Sequence, residues 1–250
     1  MEKVLVVDDF ALMRRVLCDI INKDKRFQVE DRAVSGMEAV KKTKKVVELM
    51  NRNIGQVPGG KIVAIASSTG GPKALQSVIS KLPAKLNAPV VVVQHMPPGF
   101  TASLAERLNS LSELNVKEAE EGDVLTAGSV YVARGGKHLN IRYSGSRHVI
   151  YYTDEPNREG VKPCANYMYE SLAECRYNEI VCVVMTGMGA DGTKGIAYLK
   201  NEKKTHVIAQ DEESCAVYGM PKNIVNTGLS NQIVSLERIA QEIITNVGVN

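Results

Sequence analysis

The chain lacks most of what would mark it for an unusual environment. No apolar stretch approaches the roughly 18–20 residues that a membrane helix needs, and MEKVLVVDD offers too short an apolar run for a signal peptide before two carboxylates interrupt it. The five cysteines, Cys18, Cys164, Cys175, Cys182 and Cys215, include no C-x-x-C pair and leave one over. Neither a disulfide framework nor a cysteine metal site is therefore expected. A formal charge of +3 is too small to argue for a nucleic-acid surface. Internal repeats and low-complexity tracts are absent. These absences predict a reduced, cytoplasmic protein that is not membrane-inserted and binds no nucleic acid. At 250 residues, 44% hydrophobic and 24% charged, the chain is long enough for one large α/β domain or two smaller ones.

Against that plain background three apolar runs stand out, because each ends in a small-residue loop with one chemically competent side chain. KIVAIA runs into SSTGG (Ser67, Ser68), APVVVVQ into HMPPGF (His95), and EIVCVVMT into GMGADG (Asp191). Parallel strands buried on both faces read as near-continuous Val/Ile runs, and open α/β sheets bind ligands outside the strands' carboxyl ends. A serine, a histidine and an aspartate brought to one such crevice are the parts of a nucleophilic hydrolase. Glycines after the serines let backbone N–H groups approach a substrate oxygen, and Pro97 and Pro98 end the His95 strand abruptly.

Each loop has a blander reading. S-T-G-G after a strand is also a phosphate loop or a helix cap, and His95 alone could be a hydrogen-bonded strand-end histidine. Gly187, Gly189 and Gly192 spell G-x-G-x-x-G after a strand, with Asp211 about 19 residues further on, the spacing of a dinucleotide fingerprint with Asp211 or Glu212 as ribose partner. A nucleotide-binding oxidoreductase would, however, leave Ser68 and His95 without a role. His138, His148 and His206 are given none.

Along the chain, residues 1–53 form a first unit: strand KVLVV, helix ALMRRVLCDIIN with an apolar stripe at Leu12, Val16, Ile20 and Ile21, a strand over 27–34 and a helix over 37–50 whose KKTKK stretch reads as a solvated face. IGQVPGG, over 54–60, reads as a linker. From residue 61 to 250 strands and helices alternate: strands over 62–66, 88–94, 180–186 and 206–210, helices opening near Pro72, over 101–111 and 165–175, after Asp191, and over 235–247. HLNIRY and HVIYYT, joined by SGSR, predict an appended antiparallel hairpin. The fold class expected is α/β, a doubly wound, mostly parallel sheet with that hairpin.

ASSTGGPKAL, VVVVQHMPPGFTASLAERLN, VKEAEEGD, VYVARGGKHL, VVMTGMGADG and VIAQDEESCAVYGMPKNIV, in order across residues 61–228, resemble the chemotaxis protein-glutamate methylesterase (CheB) family. The resemblance implies a cofactor-free hydrolase of glutamyl methyl esters on methyl-accepting chemotaxis receptors, also deamidating receptor glutamines. By motif, the nucleophile falls on Ser68, the base on His95 and the orienting acid on Asp191, with the Met188 N–H as oxyanion contact and Thr69 lining the site. Departures are Ala66 and Ser67 for the family's Gly-Ala, which make Ser67 a decoy hydroxyl, Ala190 for an asparagine, and Asn166 for an aspartate common after the R-P-S block. The first unit resembles the start of a response-regulator receiver, so a partial receiver-like βαβα unit is expected before the main domain. Asp8 and Asp9 match the receiver's acidic metal pair, but without a phospho-accepting aspartate no bound metal is expected. A receptor-docking adaptor without turnover remains the third alternative.

Overall fold

The computed structural model describes residues 2–7, 10–23, 27–35 and 60–250. The chain divides into two compact units, Met1–Ile54 and Gly55–Asn250. In the first, strand β1 (Glu2–Val7), helix α1 (Ala11–Ile21) and strand β2 (Phe27–Ala33) form a βαβ unit, with β1 and β2 parallel. Of the expected apolar stripe on α1, Val16 and Ile20 are exposed and Ile21 is half-buried, while the burial of Leu12 lies outside the described residues; Cys18 is buried. Asp8, Asp9, the helix over 37–50 and most of the expected linker lie outside the described residues.

The second unit is built on a seven-stranded sheet in which every neighbouring pair is parallel. Its strands are β3 (Lys61–Ser67), β4 (Val90–Gln94), β5 (Asn115–Glu118), β6 (Ser129–Val132), β9 (Glu179–Val184), β10 (Thr205–Gln210) and β11 (Gln232–Val234). They run β11-β10-β9-β3-β4-β6-β5 across the sheet. The chain therefore starts in the middle at β3, builds outward on one side, and returns to build outward from β9 on the other. The strand order reverses at the β3–β9 boundary, where α/β sheets open their ligand crevice.

Strand alternation divides the apolar side chains between two cores. Ile62, Ala64 and Ala66 of β3 face one core with α4 (Ala165–Ser171), α5 (Thr193–Glu202) and α6 (Met220–Asn226). Val63 and Ile65 face the other, with α2 (Gly71–Ile79), α3 (Phe100–Asn109) and α7 (Leu236–Val247). The sheet is thus doubly wound, as its Val/Ile runs predict. Strands β7 (His138–Ser144) and β8 (Arg147–Thr153) form the expected antiparallel hairpin, with Ser144 opposite Arg147 across the SGSR turn. Its Leu139, Ile141 and Ile150 complete the first core.

Three elements were not anticipated: β5, β11 and α6. Each is short, and NVKE carries two charges in four residues because it is an edge strand. The helix expected over 165–175 ends at Ser171 and tightens into a 3₁₀ turn, Leu172–Glu174. The loops after β3, β4 and β9 all enter their helices through a left-handed glycine, Gly70 (φ 80°), Gly99 (φ 87°) and Gly192 (φ 94°). That shared turn explains the glycine in each motif before any chemistry is invoked.

Helices α4 and α5 cross closely. A methyl group on Gly195 would lie 2.7 Å from the Asn166 carbonyl oxygen and 2.8 Å from its Cα. Gly→Ala in a free helix gains about 1 kcal/mol, but here the obstacle is backbone, and overpacking costs about 1–3 kcal/mol. We expect Gly195→Ala to lower the denaturant midpoint of unfolding; an unchanged or raised midpoint would show slack in this crossing.

Candidate active site

The carboxyl ends of β3, β4 and β9 are fastened to one another before any reactive group is considered. Ser67 is the last residue of β3, pairs in register with Gln94, and is fully buried. Its hydroxyl donates to Gln94 Oε1 at 2.7 Å, and Gln94 Nε2 donates to the carbonyls of Ser68 (2.9 Å) and His95 (3.1 Å). The Ser67 carbonyl accepts from the His95 N–H at 3.1 Å, and the Ser68 N–H donates to the Thr186 carbonyl at 3.0 Å. The bases of Ser68 and His95 are therefore fixed side by side, one register step beyond the Ser67–Gln94 pair. Two glycines make room for this. A methyl on Gly71 would fall 1.9 Å from Gln94 Oε1, and one on Gly187 would fall 2.7 Å from the Ser68 Cβ.

The choice between the two serines follows from the pleat. Ser67 points into the interior and its hydroxyl is engaged, whereas Ser68 has left the strand and is half-buried. Among the described residues the Ser68 hydroxyl makes no hydrogen bond.

His95 and Asp191 are in direct contact: His95 Nε2 lies 2.7 Å from Asp191 Oδ2, with both side chains almost wholly buried. The opposite ring nitrogen, Nδ1, is buried and has no partner among the described residues. Asp191 itself is 2% exposed. Besides His95, its Oδ2 accepts from the Ala165 N–H at 2.6 Å, and its Oδ1 from the N–H groups of Asn166 (3.0 Å) and Gly192 (2.8 Å) and from Cys164 Sγ at 2.9 Å. Burial pushes the Asp191 carboxyl up, but the bonds from His95, Cys164 and Ala165 outweigh it and hold the group below the usual carboxylate range. It is therefore ionised at neutral pH, poised to accept from an imidazole N–H.

Of the other expected site residues, Met188 has an exposed side chain in the loop after β9, and its N–H has no acceptor among the described residues. Thr69 is exposed, its carbonyl accepting from Thr186 Oγ1 at 2.9 Å. Asp211, the ribose partner of the dinucleotide reading, instead accepts from its neighbour Ser214 through the N–H at 3.0 Å and the hydroxyl. The glycines of GMGADG are accounted for by the fit of Gly187 against Ser68 and by the left-handed backbone at Gly189 (φ 89°) and Gly192 (φ 94°). Asn166, where the family has an aspartate, accepts from the N–H groups of Gly192 (3.1 Å) and Gly195 (2.7 Å), with Nδ2 buried and without a partner among the described residues. An aspartate would offer oxygen at both positions, so the acceptor role survives the exchange.

Sequence reasoning missed Gln94 and Cys164. A glutamine closing a four-valine run just before His95 was a signal for the first. For the second, the start of α4 was legible, but not that Asp191 would be its cap. His138, given no role, accepts the Cys164 N–H through Nδ1 at 3.2 Å. Beside His95 an open cavity of about 400 Å³ is lined by Met96, Pro97, Gly136, Asn157 and Lys162. It is roomy enough for an extended side chain. No group of His, Cys, Asp and Glu among the described residues is arranged to hold a metal ion, and no helix among them is long and apolar enough to cross a membrane.

The chain has relatives among known proteins. The CheB methylesterase family matches residues 63–243. The protein-glutamate methylesterase/protein-glutamine glutaminase 1 of Syntrophomonas wolfei is 47% identical over 212 residues, 83% of this chain and 58% of that protein. That of Bacillus subtilis is 51% identical over 187 residues, 74% of this chain and 52% of the relative. The chain thus spans little more than half the length of these relatives. The crystal structure of the Thermotoga maritima CheB methylesterase catalytic domain matches with a TM-score of 0.73 at 42% identity, covering 75% of this chain and 99% of that domain. The dinucleotide-binding and adaptor alternatives gain no support from these likenesses. With most of its length matched and a solved catalytic domain reproduced almost in full, the chain belongs to the CheB methylesterase family.

Proposed function

We propose that this protein is a protein-glutamate methylesterase that hydrolyses glutamyl methyl esters on chemoreceptors in the cytoplasm and also deamidates receptor glutamines, with Ser68, His95 and Asp191 as its catalytic residues. The bond between His95 Nε2 and Asp191 Oδ2 carries this reading. It fixes the ring so that Nε2 is the protonated nitrogen and Nδ1 the basic one, at a strand end fastened beside Ser68. The relatives' names, which join a glutamate methylesterase to a glutamine glutaminase, support one site acting on both acyl groups.

In the first half-reaction, Ser68 Oγ attacks the ester carbonyl while His95 Nδ1 takes its proton. Asp191 accepts from Nε2–H throughout and stabilises the imidazolium. The unpaired N–H of Met188 and the backbone after Ser68 are suited to the oxyanion, and each such donor is worth about 3 kcal/mol of barrier. The tetrahedral intermediate collapses, the imidazolium returns its proton to the leaving group, and methanol (or ammonia from an amide) departs. Water, deprotonated by His95, then attacks the acyl-enzyme; collapse of the second intermediate returns the proton to Ser68 and frees a glutamate. The Ser68–His95 bond is not formed in the free protein, a common state that substrate binding tightens.

Methanol release from methylated receptor tests the assignment of the nucleophile. Ser68→Ala should lower turnover by about 10⁴–10⁶, whereas Ser67→Ala, which removes only a buried bond to Gln94, should retain most activity. Near-normal turnover in Ser68→Ala would end this reading.

Asp191→Asn turns an acceptor of five donors into a group with two N–H donors of its own. Turnover should fall about 10⁴-fold. The folded-state pKa of Asp191 is depressed, so its stabilising contribution is present above the unfolded value and lost as pH falls through the folded one. Unfolding midpoints measured from neutral pH downward should drop below about pH 4 in wild type and drop less in the variant. Parallel curves would show that Asp191 is not the group being titrated.

A further inference from the structure

Of the five donors on Asp191, four are a ring nitrogen or backbone N–H groups. The fifth, the thiol of Cys164, is the one that a side-chain change could alter without moving the main chain. We propose that Cys164 is a positioning residue for the reaction: its buried thiol steadies Asp191 Oδ1 so that Oδ2 meets His95, and as a weak donor it leaves most of the carboxylate's charge for the imidazole. This rests on the catalytic assignment above and extends it to a residue that touches neither substrate nor nucleophile.

The geometry supports both halves of the statement. Cys164 is fully buried, and its sulfur lies 2.9 Å from Asp191 Oδ1. It is the N-cap position of α4, yet its side chain makes no capping bond to its own helix. The sulfur faces Asp191 instead, while the next two N–H groups bind the same carboxylate. Burial and the adjoining carboxylate push the thiol up to about 12, so it remains protonated and donates to Asp191. It is thereby unsuited to act as a nucleophile or as a redox sensor. A thiol is a weaker donor than a hydroxyl. The titratable groups facing Asp191 are His95 from the loop after β4 and Cys164 and Tyr169 from α4, with His138 of β7 one hydrogen bond behind Cys164.

The test compares the full chain with Cys164→Ala and Cys164→Ser, by kcat and KM for methanol release and by ¹³C NMR titration of the Asp191 carboxyl. Alanine removes a donor to the charged form, so the carboxyl should titrate at higher pH than in wild type, with kcat roughly tenfold lower and KM unchanged. Serine supplies a stronger donor, so the carboxyl should titrate lower than in wild type, with kcat between those of the alanine variant and wild type, because position is kept while charge is drawn from the imidazole. A folded Cys164→Ala with wild-type titration and kcat would overturn the proposal, as would a Cys164→Ser carboxyl titrating at or above wild type. Should the alanine variant not fold, the serine titration alone decides. If wild type itself releases no methanol, the proposed function fails, and the carboxyl titration, which needs no substrate, still reports on the bond.

Discussion

A buried carboxylate and the start of a short helix each satisfy a need of the other. Asp191 would carry a prohibitive desolvation cost if it stood alone. Helix α4 begins with orphan N–H groups and no side-chain cap of its own. Bringing the end of the β9 loop against the start of α4 resolves both, because the Ala165 and Asn166 N–H groups spend themselves on Asp191. The result is a fixed anion in a nearly dry setting, and that anion orients His95. Charge-assisted bonds of this type are about twice as strong as neutral ones.

The same logic recurs at the strand ends with neutral groups. Gln94 ties β3 to β4 by accepting from Ser67 and donating to the Ser68 and His95 carbonyls. On the other flank Gln210 accepts from the Thr186 N–H at 2.8 Å and donates to the Ser214 carbonyl at 2.8 Å. Both amides are buried and use both ends, so neither introduces an unpaired group. A parallel sheet ends its strands with backbone groups that the ladder no longer pairs. Here those groups are bound by side chains whose positions the ladder dictates, and the loops inherit the rigidity of the sheet. The absence of a Cβ at Gly71 and Gly187 is the condition for this, which is why loops with so much glycine are nonetheless well fixed.

The sheet was legible in the sequence because residues buried on both faces leave a pattern, the unbroken Val/Ile run, that no exposed element imitates. The three loops were legible because each run stopped at glycine and a reactive side chain. Short elements were not: NVKE in β5 and QIV in β11 owe their strand state to pairing at or near the sheet edges, which composition does not encode. Cys164 escaped notice for a related reason. Its importance arises from a contact spanning 27 residues of chain, and nothing local distinguishes a thiol that faces a carboxylate from one lost in a core. Val16 and Ile20 of α1, exposed among the described residues, show the converse limit, since periodicity predicts a helix face but not what packs against it.

Satisfaction of polar groups is uneven across the site in a way that matches the chemistry. Asp191 is saturated with donors, Gln94 and Gln210 are fully used, and Ser67 is engaged. The groups without a partner among the described residues include His95 Nδ1 and the Ser68 hydroxyl, the Met188 N–H, and, away from the nucleophile, Asn166 Nδ2. Buried unpaired groups are rare in native proteins and cost about 1–3 kcal/mol each, so a fold tolerates them only where the surroundings leave no alternative. Here the Nε2 bond holds the ring, which keeps Nδ1 from turning to a partner elsewhere, and the Ser68 backbone is held at both its N–H and its carbonyl. The stabilising contacts are thus spent on the groups that must not move. On the proposed mechanism, the groups that form and break bonds are left unsatisfied in the free protein, which is the condition under which a substrate would gain by binding to them.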